Sequence, residues 1–321
     1  MRAIIGAALA LAVGAASGAA RAADAVKVTV SHKDVFDSVF PISAQEKGFF
    51  KEQNLDVSFV FATGGAETVQ TIATGSVQIA TTASVHSVIA AITKGAPVRI
   101  IGSQIVGSPD LYWYVRTDGP IKKSQDLDGK NIAYSRLGSV SHMLIQSYAK
   151  QIAIKPNLIA GGGLPAVRTM LMTGQVDSAW GAMPFAIDGV RTGELRILFS
   201  GDDILATRDV VSRVTIANAD FLKSHRDVVR RYQIAYEKAV DTVYADLDTA
   251  LKRFAEDSKL EFETVRQASR YFGDKEKHLI APIKNFDEAV RQTLEFGFIG
   301  EPPTEAQKKE MIDIVYDPSA R

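Results

Sequence analysis

Residues 135–143, SRLGSVSHM, place a cation and several hydroxyl side chains at the start of a predicted helix. Ser139 can cap this helix, whose first turn contains no acidic residue. The first-turn N–H groups have no partner within a helix, and they belong to Val140, Ser141 and His142. Together with Arg136, they predict a pocket for an anionic group. The alternative is an ordinary capped helix with Arg136 paired to a surface carboxylate.

Two further groups of residues could contact a small ligand. Gly64 and Gly65 precede a second predicted helix and permit close approach of the backbone, although Glu67 in its first turn would compete with an anion. Trp180 could lie against a planar or apolar group, with Gly181 leaving room beside it. A tryptophan buried in the core is the alternative.

Histidine and aromatic side chains complete the candidate set. His32 follows the first predicted strand, and both it and His142 could hydrogen-bond a ligand oxygen. Phe36 leaves space for an aromatic or hydrophobic ligand body, and Ser84 falls in a loop at the expected ligand edge. The two histidines and a carboxylate such as Asp34 could form a metal site, but their spacing matches no local ligand motif. We therefore predict no metal and no cofactor.

A repeated pattern positions these residues. GGAETVQTIATG from Gly64 and GGLPAVRTMLMTG from Gly162 each combine a glycine pair with a helical pattern, and a short strand follows each. Gly75 and Gly174 fall just past the predicted helix ends, where a left-handed residue is least costly. The two units lie too far apart for a solenoid repeat, so they favour two related lobes.

The wider pattern indicates an α/β protein. Short apolar strands before Ser31 and Ser135 lead into loops and helices, which is typical of alternating β and α units around a mostly parallel sheet. In such sheets ligands lie outside the carboxyl ends of the strands, next to helix N-termini. We therefore expect two lobes that face each other across one central ligand cleft.

Composition narrows the functional classes. The chain has 321 residues, 46% of them hydrophobic and 23% charged, which is enough for two modest cores. Lys plus Arg and Asp plus Glu each total 37, so the zero net charge does not favour nucleic-acid binding. The sequence contains no cysteine, which excludes a disulfide scaffold, thiol catalysis and lipid attachment at a cysteine.

The N-terminal segment, residues 1–22, has the pattern of a secretory signal peptide. It combines an arginine, a short apolar run and an A-x-A cleavage site at residues 20–22. A membrane anchor is the alternative, but the apolar run is shorter than the roughly 20 residues that span a bilayer. We therefore expect a soluble periplasmic protein, exported with cleavage of this peptide.

Enzymes are the rival functional class. The sequence has no G-x-S-x-G nucleophile elbow, no phosphate-binding G-x-x-x-x-G-K-[ST] loop, no G-x-G-x-x-G dinucleotide motif and no H-E-x-x-H zinc helix. These absences favour a binding protein without catalysis, and no catalytic residue is predicted.

Longer segments carry a family resemblance. Residues 41–103, which begin PISAQEKGFF, resemble the first lobe of the periplasmic solute-binding proteins of the taurine, alkanesulfonate, nitrate and thiamine-precursor group. Residues 120–154 and the segment GQVDSAWGAMP, 174–184, resemble the second lobe of that group. The resemblance implies a type II periplasmic binding fold, in which two α/β lobes joined by two crossover strands deliver a small ligand to an ABC importer.

The resemblance also implies a division of the chain. We place the crossovers near 114–119 and 212–219. Lobe one then comprises 23–115 plus 217–321, and lobe two comprises 116–216. The implied partners are a small-molecule ligand and the membrane permease of the importer, and a monomer is expected.

The solute is predicted to be a small organic anion, such as a sulfonate, a carboxylate or an aromatic acid. Two alternatives stay open: a ligand-binding sensor, and a protein that binds a pyrimidine or thiamine precursor. An enzyme of the same fold is a further alternative.

Overall fold

The computed structural model describes residues 22–318. Its strands are β1 (Asp24–Val30), β2 (Leu55–Phe61), β3 (Ile79–Ser84), β4 (Val98–Val106), β5 (Leu111–Arg116), β6 (Asn131–Tyr134), β7 (Asn157–Ala160), β8 (Ala179–Ala182), β9 (Leu195–Ser200) and β10 (Val211–Asn218). Its α-helices are α1 (Val39–Glu46), α2 (Phe49–Glu52), α3 (Gly65–Ala73), α4 (Val85–Thr93), α5 (Val140–Gln151), α6 (Leu164–Met172), α7 (Ile187–Thr192), α8 (Ala219–Ser224), α9 (Arg226–Ala245), α10 (Leu247–Ser258), α11 (Phe262–Ala268), α12 (Phe286–Glu295) and α13 (Glu305–Met311). The predicted signal peptide lies almost wholly outside the described residues.

The first sheet has the strand order β2-β1-β3-β10-β4. Strand β1 is parallel to β2 and β3, whereas β10 is antiparallel to its neighbours β3 and β4. Every residue of β3 and β10 is buried, as expected for central strands that are covered on both faces. This sheet therefore forms one core of the protein.

The second sheet is built around β5. Strands β8 and β9 flank β5 in antiparallel pairing, and β6 and β7 form a parallel pair. The N–H of Ala133 in β6 donates to the carbonyl of Ser178 at 2.9 Å, so β6 meets the chain just before β8. In the core of this sheet, the Trp113 ring stacks on Phe199 with centroids 5.0 Å apart.

The chain passes from one sheet to the other within 107–110 and 201–210. The resemblance placed these crossings near 114–119 and 212–219, but Tyr114 already pairs in the second sheet and β10 already lies in the first. Strand pairing accounts for the difference, because β5 pairs with β8 and β9, whereas β10 pairs with β3 and β4 and packs its apolar side chains against theirs.

The two crossing segments touch. The N–H of Gly107 donates to the carbonyl of Val210 at 2.9 Å. A Cβ at Gly201 would lie 2.0 Å from the carbonyl oxygen of Ser108, so only glycine allows this close approach. The connection between the sheets is therefore a paired, tightly packed strap.

The repeated sequence units fold alike. Helix α3 leads to β3 and helix α6 leads to β8, as the pattern predicted. Gly75 and Gly174 adopt left-handed φ angles of 72° and 75° just past the helix ends, which confirms their predicted role. Each unit thus delivers a strand end to the space between the two sheets.

The helices after β10 return to the first sheet. Helix α9 packs on α1, α2 and β2, and α13 packs on β4. Arg226 pairs with Asp313 at 2.7 Å and Arg231 pairs with Asp24 at 2.5 Å. These basic residues of α9 therefore form ion pairs with residues near both ends of the described chain. Within residues 22–318, every helix is too short or too polar to cross a membrane.

Candidate ligand-binding site

A small pocket of about 30 Å³, the central pocket, lies between the two sheets. The first sheet and its loops contribute Ser31, His32, Asp37, Gly64, Gly65, Thr82 and Arg213 to its wall. The second sheet, the β6–β7 pair and the loops and helix that follow them contribute Leu111, Ser135, Ser139, Val140, Ser141, Trp180 and Ala182. The pocket lies where β1, β3, β6 and β8 end, which is the predicted edge.

Two helices begin at this pocket from opposite sides. Ser139 caps α5, since its Oγ accepts a hydrogen bond from the His142 N–H at 3.1 Å. A Cβ at Gly64, which precedes α3, would lie only 3.8 Å from the Ser135 hydroxyl. The N-terminal ends of α3 and α5, which carry partial positive charge, therefore both border the pocket.

Serine hydroxyls order the start of α5. The Oγ of Ser141 accepts a hydrogen bond from the Ser135 N–H at 3.0 Å and lies 3.0 Å from the hydroxyls of both Ser135 and Ser139. These three side chains are buried. They form a compact group of hydroxyls at one wall of the pocket, able to donate to a ligand oxygen.

A buried ion triad, Asp37–Arg213–Asp110, supports the opposite wall. Arg213 is only 3% exposed, and it donates to both Asp37 and Asp110, the latter at 2.6 Å. Burial raises the pKa of Asp110, and the two carboxylates together raise that of Arg213 despite its burial. Asp37 also accepts a hydrogen bond from the Ser31 hydroxyl at 2.5 Å.

His32 lies between this triad and Trp180. Its Nδ1 is 3.2 Å from the Ser31 hydroxyl oxygen, and its ring centroid is 5.8 Å from that of Trp180. Burial lowers the pKa of His32 below its ordinary value, so the ring is neutral near pH 7.

The structure brings seven of the twelve sequence-predicted residues together at the central pocket. They are His32, Gly64, Gly65, Ser139, Val140, Ser141 and Trp180. The other five lie elsewhere. Phe36 packs edge-on against Phe254 and Phe272 in the core, with centroids 5.8 and 5.0 Å away. Gly181 packs against Tyr112, whose ring lies 2.6 Å from where a Cβ would stand.

His142 and Ser84 make structural contacts. The His142 ring stacks on Tyr134 at 4.2 Å, and its Nδ1 accepts a hydrogen bond from the Gly138 N–H at 3.3 Å. Burial lowers the pKa of His142 to about 4. Ser84, the last residue of β3, and Ser87 in α4 each donate to the Gly138 carbonyl at 2.8 Å.

Arg136 pairs with the loop before α3 at the rim of the pocket. Its guanidinium donates to the Thr63 hydroxyl at 2.9 Å and lies 3.5 Å from the Glu67 carboxylate. The Thr63 hydrogen bonds and, to a smaller extent, the Arg136 charge lower the pKa of Glu67. Both side chains stay partly exposed, at 49% and 33%. This is the carboxylate pairing that the sequence left open as the alternative.

These contacts join the two halves of the protein. We call the Arg136–Thr63–Glu67 contact and the Gly138–Ser84–Ser87 contact the rim clasp. Each links the loop before α5 to residues of the first half of the chain.

A family model described as NMT1/THI5 like matches residues 36–250. That match spans well over half of the chain. The chain belongs to the NMT1/THI5-like family. It is 26% identical over 250 residues to 4-amino-5-hydroxymethyl-2-methylpyrimidine phosphate synthase THI13 of Saccharomyces cerevisiae, with 71% of each chain covered. It is 25% identical to the taurine-binding periplasmic protein of Escherichia coli, with 74% of this chain and 73% of the relative covered.

Solved structures show the fold. The alkanesulfonate-binding protein SsuA from Xanthomonas axonopodis pv. citri, bound to MOPS, superposes with a TM-score of 0.72 at 15% identity. The superposition covers 91% of this chain and 95% of that one. The NMT1/THI5-like protein therefore has the type II periplasmic binding protein fold, as the resemblance implied.

Sequence reasoning missed the ion triad of this NMT1/THI5-like protein. Arg213 is separated from Asp37 and Asp110 by 176 and 103 residues, so no local spacing reveals the group. A signal did exist: Arg213 is the one charged residue of the strand VSRVTIAN. A lone cation in a fully buried strand requires a buried anionic partner.

The NMT1/THI5-like protein has no evident metal centre in the region that the structure covers. Among residues 22–318, no group of three or more His, Asp or Glu side chains is placed to hold a metal ion. The site is therefore described by hydrogen-bonding groups, helix termini and the Trp180 ring.

Proposed function

We propose that this protein is the periplasmic solute-binding component of an ABC importer, exported by its N-terminal signal peptide and active as a monomer. It captures a small organic anion between two lobes and delivers it to the membrane permease. The observation that carries this proposal is the meeting of two helix N-termini, those of α3 and α5, at one small pocket between the sheets.

The helix termini support an anionic end on the solute. The first N–H groups of each helix have no intrahelical partner, and the helix dipoles place partial positive charge at the same point. The hydroxyls of Ser135, Ser139 and Ser141 add donors on the α5 side. A sulfonate or carboxylate satisfies several such donors at once.

Apolar side chains support an organic body on the solute. Trp180 is 2% exposed and lines the pocket together with Leu111 and Ala182. A flat or aliphatic group would be buried against this wall, which favours binding through the hydrophobic effect.

The volume of the pocket supports a mechanism of opening and closing. About 30 Å³ is room for roughly two water molecules, so a solute enters only after the two halves separate. The strap at 107–110 and 201–210 is the hinge in this proposal, and the rim clasp forms again around the bound solute.

A pyrimidine solute is the second candidate. The relatives in yeast are named as synthases of a pyrimidine phosphate, and Trp180 beside His32 offers an aromatic surface for a planar ring.

A thermal-shift screen against sulfonates, nitrate, aromatic acids and pyrimidines separates the two candidates, because a solute that binds only the folded state raises the melting temperature. Recovery of the solute unaltered after incubation would support binding without catalysis.

A matched pair of variants tests the site with the solute that the screen identifies. Ser141→Ala removes a hydroxyl that lines the pocket, so we expect Kd to rise about tenfold. Ser147→Ala removes a buried hydroxyl further along the same helix, which donates only to the Met143 sulfur, and should leave Kd unchanged. Calorimetric titration provides the measurement. Equal Kd values in both variants would place the anion away from α5.

A further inference from the structure

Two buried nitrogen atoms belong to side chains that line the central pocket and make no hydrogen bond with the described residues. They are Nε2 of His32 and Nε1 of Trp180. Unsatisfied buried polar atoms are rare in native proteins, because each costs about 1 to 3 kcal/mol. Twelve further unsatisfied buried side-chain atoms lie elsewhere among the described residues, but only these two belong to side chains that line the central pocket, where a ligand could reach them.

The hydrogen bonds around Ser31 determine which proton His32 carries. The Ser31 hydroxyl donates to Asp37 at 2.5 Å, since a carboxylate held by Arg213 can only accept. The hydroxyl oxygen is then available as an acceptor, so the 3.2 Å contact is a hydrogen bond when His32 Nδ1 carries the proton. A neutral imidazole carries one N–H, and therefore Nε2 holds a lone pair.

Other groups around the ring fit this assignment. Asp37, Glu67 and Arg213 all act on His32 electrostatically, but burial dominates and keeps the ring neutral. The Thr63 carbonyl also lies near the ring and is the one competing acceptor for its proton. If Nε2 carried the proton for Thr63, Nδ1 would face the Ser31 oxygen with no hydrogen between them.

We propose that His32 Nε2 is the acceptor that selects the solute, through an N–H or O–H group that the solute donates to it. The indole N–H of Trp180, beside the same ring, donates to a neighbouring acceptor atom of that solute. The solute class is thus a small molecule with an amino or hydroxyl donor next to an acceptor. This inference rests on the proposed function and narrows the predicted solutes from organic anions in general to those that also carry such a donor and acceptor.

The tautomer of His32 is the first readout and needs no ligand. Proton–nitrogen correlation spectra of protein with isotope-labelled histidine distinguish Nδ1–H from Nε2–H near neutral pH, and His32→Asn identifies the signal. We expect Nδ1–H in the wild type and loss of that preference in Ser31→Ala. The other four of the five histidines are the internal control in that variant. An Nε2–H tautomer in the wild type would overturn the proposal.

Matched probe solutes are the second readout. Three pairs of compounds are used, and the two members of each pair differ by one donor group. The pairs are taurine with ethanesulfonate, glycolate with acetate, and aminopyrimidine with pyrimidine. We expect the donor-bearing member of a binding pair to bind about tenfold more tightly, and His32→Leu to abolish that difference. Equal binding within every pair would overturn the proposal. An Nδ1–H tautomer without binding of any probe would contradict the proposed function and leave the acceptor assignment standing.

Discussion

At the scale of single residues, the ion triad is the least replaceable feature near the pocket. Arg213 bridges two buried carboxylates, and neither Asp37 nor Asp110 has access to bulk water. A bidentate guanidinium satisfies both, whereas a shorter or point-charge side chain would not. The triad thereby holds Asp37 in place for its hydrogen bond with Ser31, which lies beside His32.

Removal of the Arg213 charge should destabilise the protein strongly. Arg213→Met leaves two buried carboxylates without a counter-charge, so we expect a loss of about 3 to 5 kcal/mol in the free energy of unfolding. Arg136→Ala, which removes a partly exposed pair, should cost less than about 1 kcal/mol. Urea denaturation of both variants measures the difference. A loss below about 1 kcal/mol in Arg213→Met would show that the triad contributes little.

Buried histidines predict a loss of stability in mild acid. His86 is fully buried, its Nδ1 lies 2.9 Å from the Thr293 hydroxyl, and burial lowers its pKa from 6.5 to about 4. The unfolded chain therefore binds an extra proton below pH 6.5, and stability falls as the pH drops from 6.5 towards 4. His86→Gln should reduce this fall by up to about 3 kcal/mol. Denaturation midpoints across this range provide the test, and an unchanged slope would contradict it.

At the scale of elements, the two helix starts depend on close backbone packing. Gly65, the first residue of α3, lies against the end of β3, and a Cβ there would be 2.9 Å from both the Ser84 nitrogen and the Thr82 carbonyl oxygen. Backbone atoms cannot move aside as a flexible side chain can. The position of α3 relative to the pocket is therefore set by a contact that requires glycine.

A methyl group at Gly65 should disturb both stability and binding. For Gly65→Ala we expect a loss of about 1 to 3 kcal/mol, because the clash forces α3 away from β3. Gly300→Ala is the matched control, since the space around that position is open. Thermal denaturation and titration with the solute from the screen measure the two effects. Identical behaviour of the two variants would mean that α3 shifts without consequence.

At the scale of the whole molecule, two sheets joined by a short paired strap form the basis for opening and closing. The described structure is closed, with the rim clasp formed and about 30 Å³ between the sheets. Opening breaks the rim clasp, which includes the buried Ser84–Gly138 hydrogen bond, and other contacts between the halves such as the hydrogen bond from the Phe36 N–H to the Met183 carbonyl at 2.9 Å. The balance between open and closed forms is therefore expected to respond to a solute that touches both halves.

Small-angle scattering tests this balance. The radius of gyration of the wild type should decrease when the solute identified by the screen is added. Arg136→Ala weakens the rim clasp, so the unliganded variant should be larger than the wild type. Arg266→Ala removes an exposed pair with Glu263 on α11 and is the control. A radius of gyration that stays unchanged at saturating solute would contradict the proposal that the two halves close on the solute.

Local features of the sequence determined much of the fold. The helical spacing, the Ser139 cap and the glycines at Gly75 and Gly174 act over a few residues, and the structure confirms each of them. The repeat of helix and strand also placed two strand ends correctly at one edge. These features are readable because the hydrogen bonds and dihedral angles that they satisfy are made within one turn or one loop.

Only the tertiary structure decided which side chains face the pocket. The sequence could not choose between a ligand and a carboxylate for Arg136, nor pair Arg213 with two distant aspartates, because both outcomes depend on segments brought together by folding. The orientation of His32 is likewise set by the chain of hydrogen bonds from Asp37 through Ser31. Such contacts join residues that are distant in sequence. A buried charge is costly unless an opposite charge pairs with it, and only the folded chain brings the two charges together.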